Sequence, residues 1–256
     1  MRKATTHEAL VTSQFGPQAA AYVTSAVHAQ GQDLEQMAAA VARRRPANLL
    51  DLGCGGGHVS FAAAPFSGTV TAYDLSADML AAVKAEAAHR GLANIVTRQG
   101  SAEVLPFADA TFEAVATRYS AHHWGDAARG IAEAARVLKP GGLALFADAI
   151  APADPLLDTF LQSFELLRDP SHVRNYSIAH WRGMVEAAGL RVVSVTPARL
   201  PLDFAAWIKR INTPPHFAEA IRALQQVMAE RVREHFAIEA DGSFTLDTML
   251  MEAQKP

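Results

Sequence analysis

The chain has 256 residues, and 50% of them are hydrophobic, a composition typical of one globular domain or of one domain with a cap. Its 23 basic and 26 acidic residues give a net charge of −3, so no charge excess predicts a nucleic-acid partner. The single cysteine, Cys54, excludes an intramolecular disulfide and a CxxC metal site. The N-terminal residues contain no apolar stretch like that of a signal peptide, and no run of apolar residues reaches the length of a membrane span. These features predict a cytoplasmic protein without integral membrane association.

The N-terminal part of the chain predicts a loose segment and two helices. Residues 1–14 are polar and are expected to be loose, and a helix opens at Phe15, with Pro17 suited to its first turn. A second helix is predicted over 33–45, because apolar residues recur there at helical spacing. Its last three residues are arginines, which we interpret as a solvated helix end rather than as a nucleic-acid patch.

A glycine-rich turn follows the first predicted strand. Residues 47–52 are expected to form a buried strand, and a helix begins at His58. A turn between strand and helix lets the backbone approach a ligand closely and directs free N–H groups at it. The dinucleotide-binding pattern G-x-G-x-x-G fails because its sixth position is His58. The pattern that remains is G-x-G-x-G, formed by Gly53, Gly55 and Gly57. Asp51, near the end of the strand, is placed to face a ligand above the turn.

The second predicted strand, over 68–74, ends at Asp74. An acid at the end of the second parallel strand can accept hydrogen bonds from both hydroxyls of a ribose. The alternative is that Asp74 only caps the following helix, predicted over 76–90. Ser76 can provide that cap, which favours the ribose interpretation.

Polar and aromatic side chains are concentrated after the fourth predicted strand. A third strand is predicted over 94–99 and a fourth over 112–117, which leads into residues 118–124, RYSAHHW. Parallel sheets bind ligands at the carboxyl ends of their strands. A histidine titrates near neutral pH, so either His122 or His123 is a candidate general base. The alternative is one buried and hydrogen-bonded histidine and one exposed histidine, neither of them catalytic. No metal site is predicted, since there is no HExxH motif and adjacent side chains point apart.

The composition shifts at Pro152, and the remaining elements complete the predicted fold. These elements are helices over 126–138, 155–167, 178–188, 204–211 and 217–236, strands over 143–149, 190–196 and 242–253, and a polar loop over 169–176. Alternating strands and helices predict a doubly wound α/β fold. We expect a seven-stranded, mostly parallel sheet whose last strand is antiparallel, with a helical cap.

Three motifs resemble one enzyme family. Residues 51–57, DLGCGGG, resemble the first motif of class I S-adenosylmethionine (SAM) methyltransferases. Residues 74–80, DLSADML, and 100–107, GSAEVLPF, resemble the type 11 branch, which includes the ubiquinone/menaquinone C-methyltransferases. Ser101 departs from the usual aspartate, which weakens one expected adenine contact. The resemblance covers about residues 15–150. It implies a single methyltransferase domain over 1–256, in which 15–150 form the SAM-binding core, 151–180 a cap insertion and 181–256 the completion of the sheet.

The resemblance implies a cofactor site. The residues expected to bind SAM are Tyr22, Asp51, Gly53, Gly55, Gly57, Asp74, Leu75, Ser101, Ala102, Glu103 and Arg118. Asp51 and the glycines would hold the methionine portion, Asp74 the ribose, and residues 101–103 would border the adenine. Arg118 would make a backbone contact to the methionine part. Tyr22 would contact the methionine carboxylate, or would only pack its helix on the domain.

The resemblance also implies an acceptor site. Tyr119, His122 and His123 lie where the substrate should enter, and we predict them as the catalytic residues. Candidate substrate contacts in the cap loop are His172, Arg174 and Tyr176. The alternative is that the cap helix packs on the rim and has no role in substrate binding.

These patterns predict a SAM-dependent methyltransferase that methylates carbon or oxygen of a small organic acceptor. The SAM sulfonium is a strong electrophile, so the protein has mainly to align the reactants and exclude water. A SAM-binding module without turnover remains an alternative. A nicotinamide-dependent oxidoreductase is disfavoured, because none of the four tyrosines begins a Tyr-x-x-x-Lys motif. No motif indicates the acceptor's identity or the oligomeric state.

Overall fold

The structure is a computed structural model that describes residues 6–23 and 31–256. A seven-stranded sheet forms the centre of the protein. The strands are β1 (Asn48–Leu52), β2 (Thr69–Asp74), β3 (Ile95–Gln99), β4 (Phe112–Arg118), β5 (Leu138–Ala149), β6 (Arg191–Leu202) and β7 (Phe244–Gln254). Their order across the sheet is β3-β2-β1-β4-β5-β7-β6. The first five strands pair in parallel, whereas β7 is antiparallel to both β5 and β6. The predicted fold class is therefore confirmed.

Helices flank this sheet. In the described ranges they are α1 (His7–Phe15), α2 (Ala19–Val23), α3 (Gln32–Arg44), α4 (His58–Ala63), α5 (Ala77–His89), α6 (Ala127–Val137), α7 (Pro155–Arg168), α8 (Ile178–Ala187), α9 (Phe204–Lys209), α10 (Pro215–Val227) and α11 (Glu230–His235). Short 3-10 turns cover Gly16–Gln18, Ala64–Phe66 and Ala121–His123. Over the same ranges, no helix combines the length and the apolar character needed to cross a membrane.

The first strand shows why helices are needed on both faces of the sheet. Successive side chains of a strand point to opposite faces, and in β1 both Leu49 and Leu50 are completely buried. Leu49 packs in a cluster with Met37 of α3. Leu50 belongs to a different cluster, with Ile131 of α6 and Trp181 of α8. A run of apolar residues buried on both faces is characteristic of a parallel sheet.

The strand order creates a switch point between β1 and β4. The chain proceeds from β1 to β2 and β3 on one side, and then continues with β4 and β5 on the other. The connections after β1 and β4 therefore leave in opposite directions, which opens a crevice at the carboxyl ends of these two strands. The glycine turn and residues 119–124 both lie at this crevice.

The N-terminal segment is helical where the sequence predicts a loose chain. Thr6 caps α1 by accepting a hydrogen bond from the N–H of Ala9 at 3.2 Å, and Glu8 lies in the first turn. The ring of Phe15 meets the ring of Tyr22 edge-on, with centroids 5.7 Å apart. The Phe15 ring also meets the ring of His123, which is distant in sequence, with centroids 4.9 Å apart. The expectation is therefore wrong for residues 7–14, because a cap and a long-range aromatic contact fix this segment. Residues 1–5 lie outside the described chain.

The cap is larger than the predicted insertion over 151–180. Its apolar core joins Phe164 of α7 to Trp207 of α9 and to Phe236, directly after α11. The antiparallel pair of β6 and β7 extends into the same core, because the pairing continues to Leu202 opposite Phe244. Only α7 of these elements falls within the predicted insertion; α8 instead packs against the sheet through Trp181.

The C-terminal helix predicted over 217–236 is two helices. Met228 and Ala229 between them have extended backbone, with ψ of 152° and 148°. This interruption turns α11 so that Val232 and Phe236 are buried in the cap core. Tertiary packing therefore overrides the helical periodicity at this point.

Two glycines in helices provide a matched test of the packing. An ideal Cβ at Gly130 of α6 would lie 2.4 Å from the Trp124 ring, whereas one at Gly183 of α8 meets nothing within 4 Å. Replacing glycine by alanine in a helix stabilises by about 0.5–1 kcal/mol when the site is open. We therefore expect Gly183→Ala to raise the midpoint of thermal unfolding and Gly130→Ala to lower it. Shifts of the same sign in both variants would contradict the packing described for Trp124.

Candidate active site

One cleft runs from the glycine turn to the cap helices. The residues singled out from the sequence that line it are Tyr22, Asp51, Gly53, Gly55, Asp74, Leu75, Ser101, Ala102, Glu103, Arg118, Tyr119, His122 and His123. Four other predicted site residues, Gly57, His172, Arg174 and Tyr176, are not part of its lining. The cleft therefore brings the two strand ends and the cap together in one continuous space.

The glycine turn is anchored to β2 through its backbone. The N–H groups of Gly53 and Cys54 both donate to the carbonyl oxygen of Tyr73, at 2.8 and 3.0 Å. A Cβ at Gly53 would lie 2.0 Å from the Ser120 hydroxyl, so this position has no room for a side chain. Gly55 has a φ of +47°, and its Cβ would extend into open space. A ligand in the cleft can therefore approach the backbone at Gly55 closely.

Gly57 serves the packing of the turn. It has a φ of +78°, and its Cβ would lie 2.8 Å from Val83 of α5 and 3.0 Å from Phe61 of α4. The absent side chain lets these two helices come together beneath the turn. Gly57 thus shapes the cleft without lining it.

Asp51 lies at the base of the cleft with one oxygen free. Its Oδ2 accepts hydrogen bonds from the backbone N–H and the hydroxyl of Ser60, at 2.9 and 2.6 Å. Its Oδ1 has no hydrogen-bond partner among the described residues. Burial raises the pKa of Asp51 to about 7, although the Ser60 hydrogen bonds oppose this shift. A cation at the free oxygen would stabilise the charged form.

Asp74 is oriented toward the glycine turn. Its Oδ2 accepts the N–H of Gly55 at 2.8 Å, and its Oδ1 accepts the N–H of Ser76 at 2.9 Å. The cap of α5 is the hydroxyl of Ser76, which accepts the N–H of Met79. Burial raises the pKa of Asp74. Since each carboxylate oxygen has two lone pairs, both oxygens can still accept a hydrogen bond from a ligand.

Ser101, Ala102 and Glu103 form one wall of the cleft. The backbone oxygen of Ser101 accepts a hydrogen bond from the Tyr73 hydroxyl at 3.2 Å, and its side chain accepts the N–H of Glu103 at 3.4 Å. Ala102 is buried. Gly100, which precedes them, would clash with the Tyr73 hydroxyl if it had a side chain. This wall is therefore fixed to the end of β2.

The side chain of Arg118 is held away from solvent. Its guanidinium makes two hydrogen bonds to the Asp33 carboxylate, at 2.5 and 3.1 Å, and lies 4.8 Å from the centroid of the Tyr119 ring. Tyr119 has a positive φ of 51°. Burial raises the pKa of the Tyr119 hydroxyl, as does the neighbouring Asp33, so this phenol stays protonated.

His122 and Asp148 form a hydrogen-bonded pair at the cleft. The Nδ1 atom of His122 lies 2.5 Å from Oδ1 of Asp148, at the end of β5. Burial by itself lowers the pKa of His122, but the Asp148 carboxylate raises it above its usual value overall. In the neutral ring, an Nδ1–H bonded to Asp148 leaves Nε2 as a proton acceptor. Nε2 has no hydrogen-bond partner in the described chain.

His123 and His172 have different surroundings. The Nδ1 atom of His123 lies 3.2 Å from the carbonyl oxygen of Ser171, and burial lowers its pKa well below the usual value. Burial and the charge of His122 lower the pKa of His172 to about 3. Both rings are therefore neutral at physiological pH. The described chain contains no cluster of histidine, cysteine or acidic side chains suited to a metal ion.

The three predicted cap contacts have partners outside the cleft. His172 lies 3.1 Å from the side-chain oxygen of Gln162, and Arg174 forms an ion pair with Asp158. Tyr176 pairs with Ile150 through a β-bridge and packs on the core. Asn175 of the same loop lines the cleft instead. Loop register decides which side chains face inward, and no pattern in the sequence gives that register.

Several residues of the cleft carry no sequence motif. They are Glu165 and Arg168 of α7, Asn175, Arg210, and His7, Glu8 and Val11 of α1. These residues reach the cleft only through the folding of α1 and the cap. Asp148 of β5 does not line the cleft itself but is bonded to His122, which does. One sequence signal for Asp148 is that it is the only charged residue in the predicted strand over 143–149 and lies near its carboxyl end.

Comparisons with known proteins identify a family for this fold and cleft. The sequence-family model described as a methyltransferase domain matches residues 50–146. The chain is 46% identical over 199 residues to the uncharacterized protein YafE of Escherichia coli (strain K12), which covers 78% of this chain and 96% of YafE. It is 34% identical over 246 residues to the uncharacterized methyltransferase YcgJ of Bacillus subtilis (strain 168), covering 94% and 97% of the two chains. The crystal structure of YcgJ matches 87% of this chain and 97% of its own with a TM-score of 0.83 and 33% identity.

A shorter match involves a relative whose name states its substrate. The demethylmenaquinone methyltransferase of Chlorobaculum parvum (strain DSM 263 / NCIMB 8327) is 37% identical over 114 residues, which are 44% of this chain and 45% of that protein. The chain belongs to the class I methyltransferase family. It is a SAM-dependent methyltransferase, and its cofactor is SAM.

The link between Asp148 and His122 can be measured without knowing the acceptor. Asp148→Asn should lower the pKa of His122, because the carboxylate charge is what holds that pKa above its ordinary value. The measurement is an NMR titration of the His122 ring in both proteins. Asp109→Asn, at an exposed acid, is the control and should leave the titration unchanged. An unshifted His122 pKa in Asp148→Asn would show that the two side chains are not coupled.

Proposed function

We propose that the protein transfers the methyl group of SAM to a small organic acceptor and that His122 is the general base. The observation that carries the proposal is the hydrogen bond between His122 and Asp148, because His122 lines the same cleft as the glycine turn. The cap helices close one end of this cleft, which supports a small molecule rather than a polymer as the acceptor. The relative named for demethylmenaquinone also has a small-molecule substrate.

The residues at the glycine turn fit the amino-acid portion of SAM. The free Oδ1 of Asp51 would accept a hydrogen bond from the α-ammonium group, and the open face of Gly55 would let the ligand lie against the backbone. Asp74 would bind the ribose hydroxyls, with Leu75 beside it. The wall of Ser101, Ala102 and Glu103 would border the adenine. Bound in this way, SAM supplies an electrophilic methyl group.

Tyr22 and Arg118 would shape the cofactor site rather than supply its main contacts. The Arg118 side chain is bound to Asp33, so the contribution proposed for this residue is through its backbone at the end of β4. The carbonyl oxygen of Tyr22 lies 2.8 Å from the ring of His58, and Tyr22 lines the cleft. The end of α2 thus covers the glycine turn from above.

The proposed base is His122 because it lines the cleft and its Nε2 has no hydrogen-bond partner among the described residues. A proton of an enol or phenol group would move to Nε2, and Asp148 would stabilise the resulting cation. His123 lacks this arrangement, since its carboxylate neighbour, Asp169, is 4.0 Å away and its pKa is lowered by burial. The buried hydroxyl of Tyr119, with its raised pKa, is better suited to donate a hydrogen bond than to accept a proton.

The role of Asp51 predicts a pH dependence of cofactor binding. A carboxylate binds an ammonium group only in its charged form, and the pKa of Asp51 in the free protein is about 7. The affinity for S-adenosylhomocysteine should therefore be constant above this pH and fall by up to about tenfold per unit below it. Calorimetric titrations from about pH 6 to about pH 8.5 cover this range. In Asp51→Asn the affinity should be lower and nearly flat with pH; a wild-type profile in that variant would remove Asp51 from the site.

The role of His122 predicts a selective loss of turnover. His122→Ala should reduce kcat by about 100-fold or more, because general bases contribute on this scale, with little change in SAM affinity. The assay is S-adenosylhomocysteine release with a panel of enolic and phenolic acceptors. His123→Ala, which removes the adjacent imidazole, is the comparison and should have a much smaller effect. Full turnover in His122→Ala would refute a base at this position, and SAM binding without transfer to any acceptor would favour a binding module.

A further inference from the structure

Two arginines lie at the cap end of the cleft, beyond the residues proposed to bind SAM. Arg168 is the last residue of α7, and Arg210 directly follows α9; both line the cleft. The apolar side chains around them include Trp207 of α9 and Leu202 of β6. This end of the cleft therefore presents concentrated positive charge within an apolar surround.

The guanidinium of Arg168 is fixed in position. Its Nε donates to the carbonyl oxygen of Trp207 at 3.2 Å, and the group lies 4.7 Å from the centroid of the Trp207 ring. Its charge also acts on Tyr22, where it opposes the rise in pKa that burial causes. Arg168 lines the cleft, and its planar guanidinium has further donors for a ligand there.

Arg210 has no such partners. It is half-buried, and burial together with the nearby charge of Arg168 lowers its pKa. Among the described residues its guanidinium makes no hydrogen bond and no ion pair. A partly desolvated cation without a partner destabilises a protein. An anion bound beside Arg210 would therefore offset the desolvation free energy that the free protein already bears.

A buried amide in the cleft wall also lacks partners. Asn175 is 1% exposed, and neither its Oδ1 nor its Nδ2 has a hydrogen-bond partner. Its backbone is held at both ends by Gln162, through bonds of 3.1 and 2.9 Å. The side chain is thus fixed at the cleft with a donor and an acceptor unused, which is costly unless a ligand satisfies them.

The charge balance favours one negative charge. Glu165 lines the same region, and its burial raises its pKa although Arg168 opposes the shift. A second negative charge on a ligand would be repelled by Glu165 whenever that group ionises.

We propose that the methyl acceptor is a small organic acid whose carboxylate binds between Arg168 and Arg210 while Asn175 hydrogen-bonds to another of its polar groups. This inference rests on the proposed function, and it adds the chemical class of the substrate. The carboxylate anchors the acceptor at the cap, and the atom to be methylated lies toward His122.

The test uses fragment pairs on the full-length protein saturated with S-adenosylhomocysteine. Aliphatic and aromatic monocarboxylates, such as benzoate, are each compared with the matching primary amide and phosphate monoester by calorimetry and thermal shift. Carboxylates should bind, and Arg210→Ala should weaken them by about tenfold to a hundredfold, since a hydrogen bond to a charged group is lost. Lys209→Ala, which removes an exposed cation one position away, should leave the affinity unchanged.

Stability separates a binding role from a structural one. Arg210→Ala should leave the unfolding temperature of the free protein unchanged or raise it, because the arginine has no partner to lose. A clear decrease would indicate a structural arginine and overturn the inference. So would amides binding as well as carboxylates, phosphate monoesters binding more tightly than carboxylates, or no carboxylate binding at all.

Two further outcomes distinguish this inference from the proposed function. If Arg210→Ala weakens S-adenosylhomocysteine itself, the arginines hold the cofactor carboxylate; the acceptor class is then wrong, and methyl transfer to a small molecule still stands. If carboxylates bind through Arg210 but none of those with an enol or phenol group is methylated, the acid site stands and the proposed reaction is wrong.

Discussion

Two backbone N–H groups of the glycine turn share the carbonyl oxygen of Tyr73, and this junction joins the ends of β1 and β2 at the cleft. It brings the turn after β1 against the end of β2, so Asp74 can accept the N–H of Gly55. The absent side chain at Gly53 lets Ser120, after β4, approach the same turn. Three strand ends thus meet at one point, and a side chain at Gly53 would separate them.

The part of the cleft around His122 is organised differently, by charges in a partly desolvated space. Asp148 raises the pKa of His122, whereas burial lowers the pKa of the adjacent His123. The rings of these adjacent histidines are 4.2 Å apart, yet only one has a carboxylate in hydrogen-bond contact. A pair of identical residues therefore acquires different protonation behaviour from its surroundings. Such divergence is typical of sites that transfer protons.

The predicted fold was accurate where local pattern and packing agree. The strand of β1, the glycine turn and α5 with its Ser76 cap lie within about two residues of their expected bounds, because apolar period, turn chemistry and cap residue all indicate the same structure. The differences at α1, at the break before α11 and in the extent of the cap have one cause. Each depends on contacts between segments distant in sequence, such as Phe15 with His123 or Phe164 with Trp207.

The sequence by itself determined the sheet, the family and most of the residues that line the glycine-turn end of the cleft, since that end consists of strand ends and a turn whose residues are adjacent in the chain. It also indicated His122 and His123 but did not distinguish them. Only the tertiary structure decided that His122 meets Asp148, that Asn175 rather than its neighbours faces the cleft, and that Arg168 and Arg210 share one space. Those residues come from five separate segments of the chain, and local pattern contains no information on how distant segments approach each other.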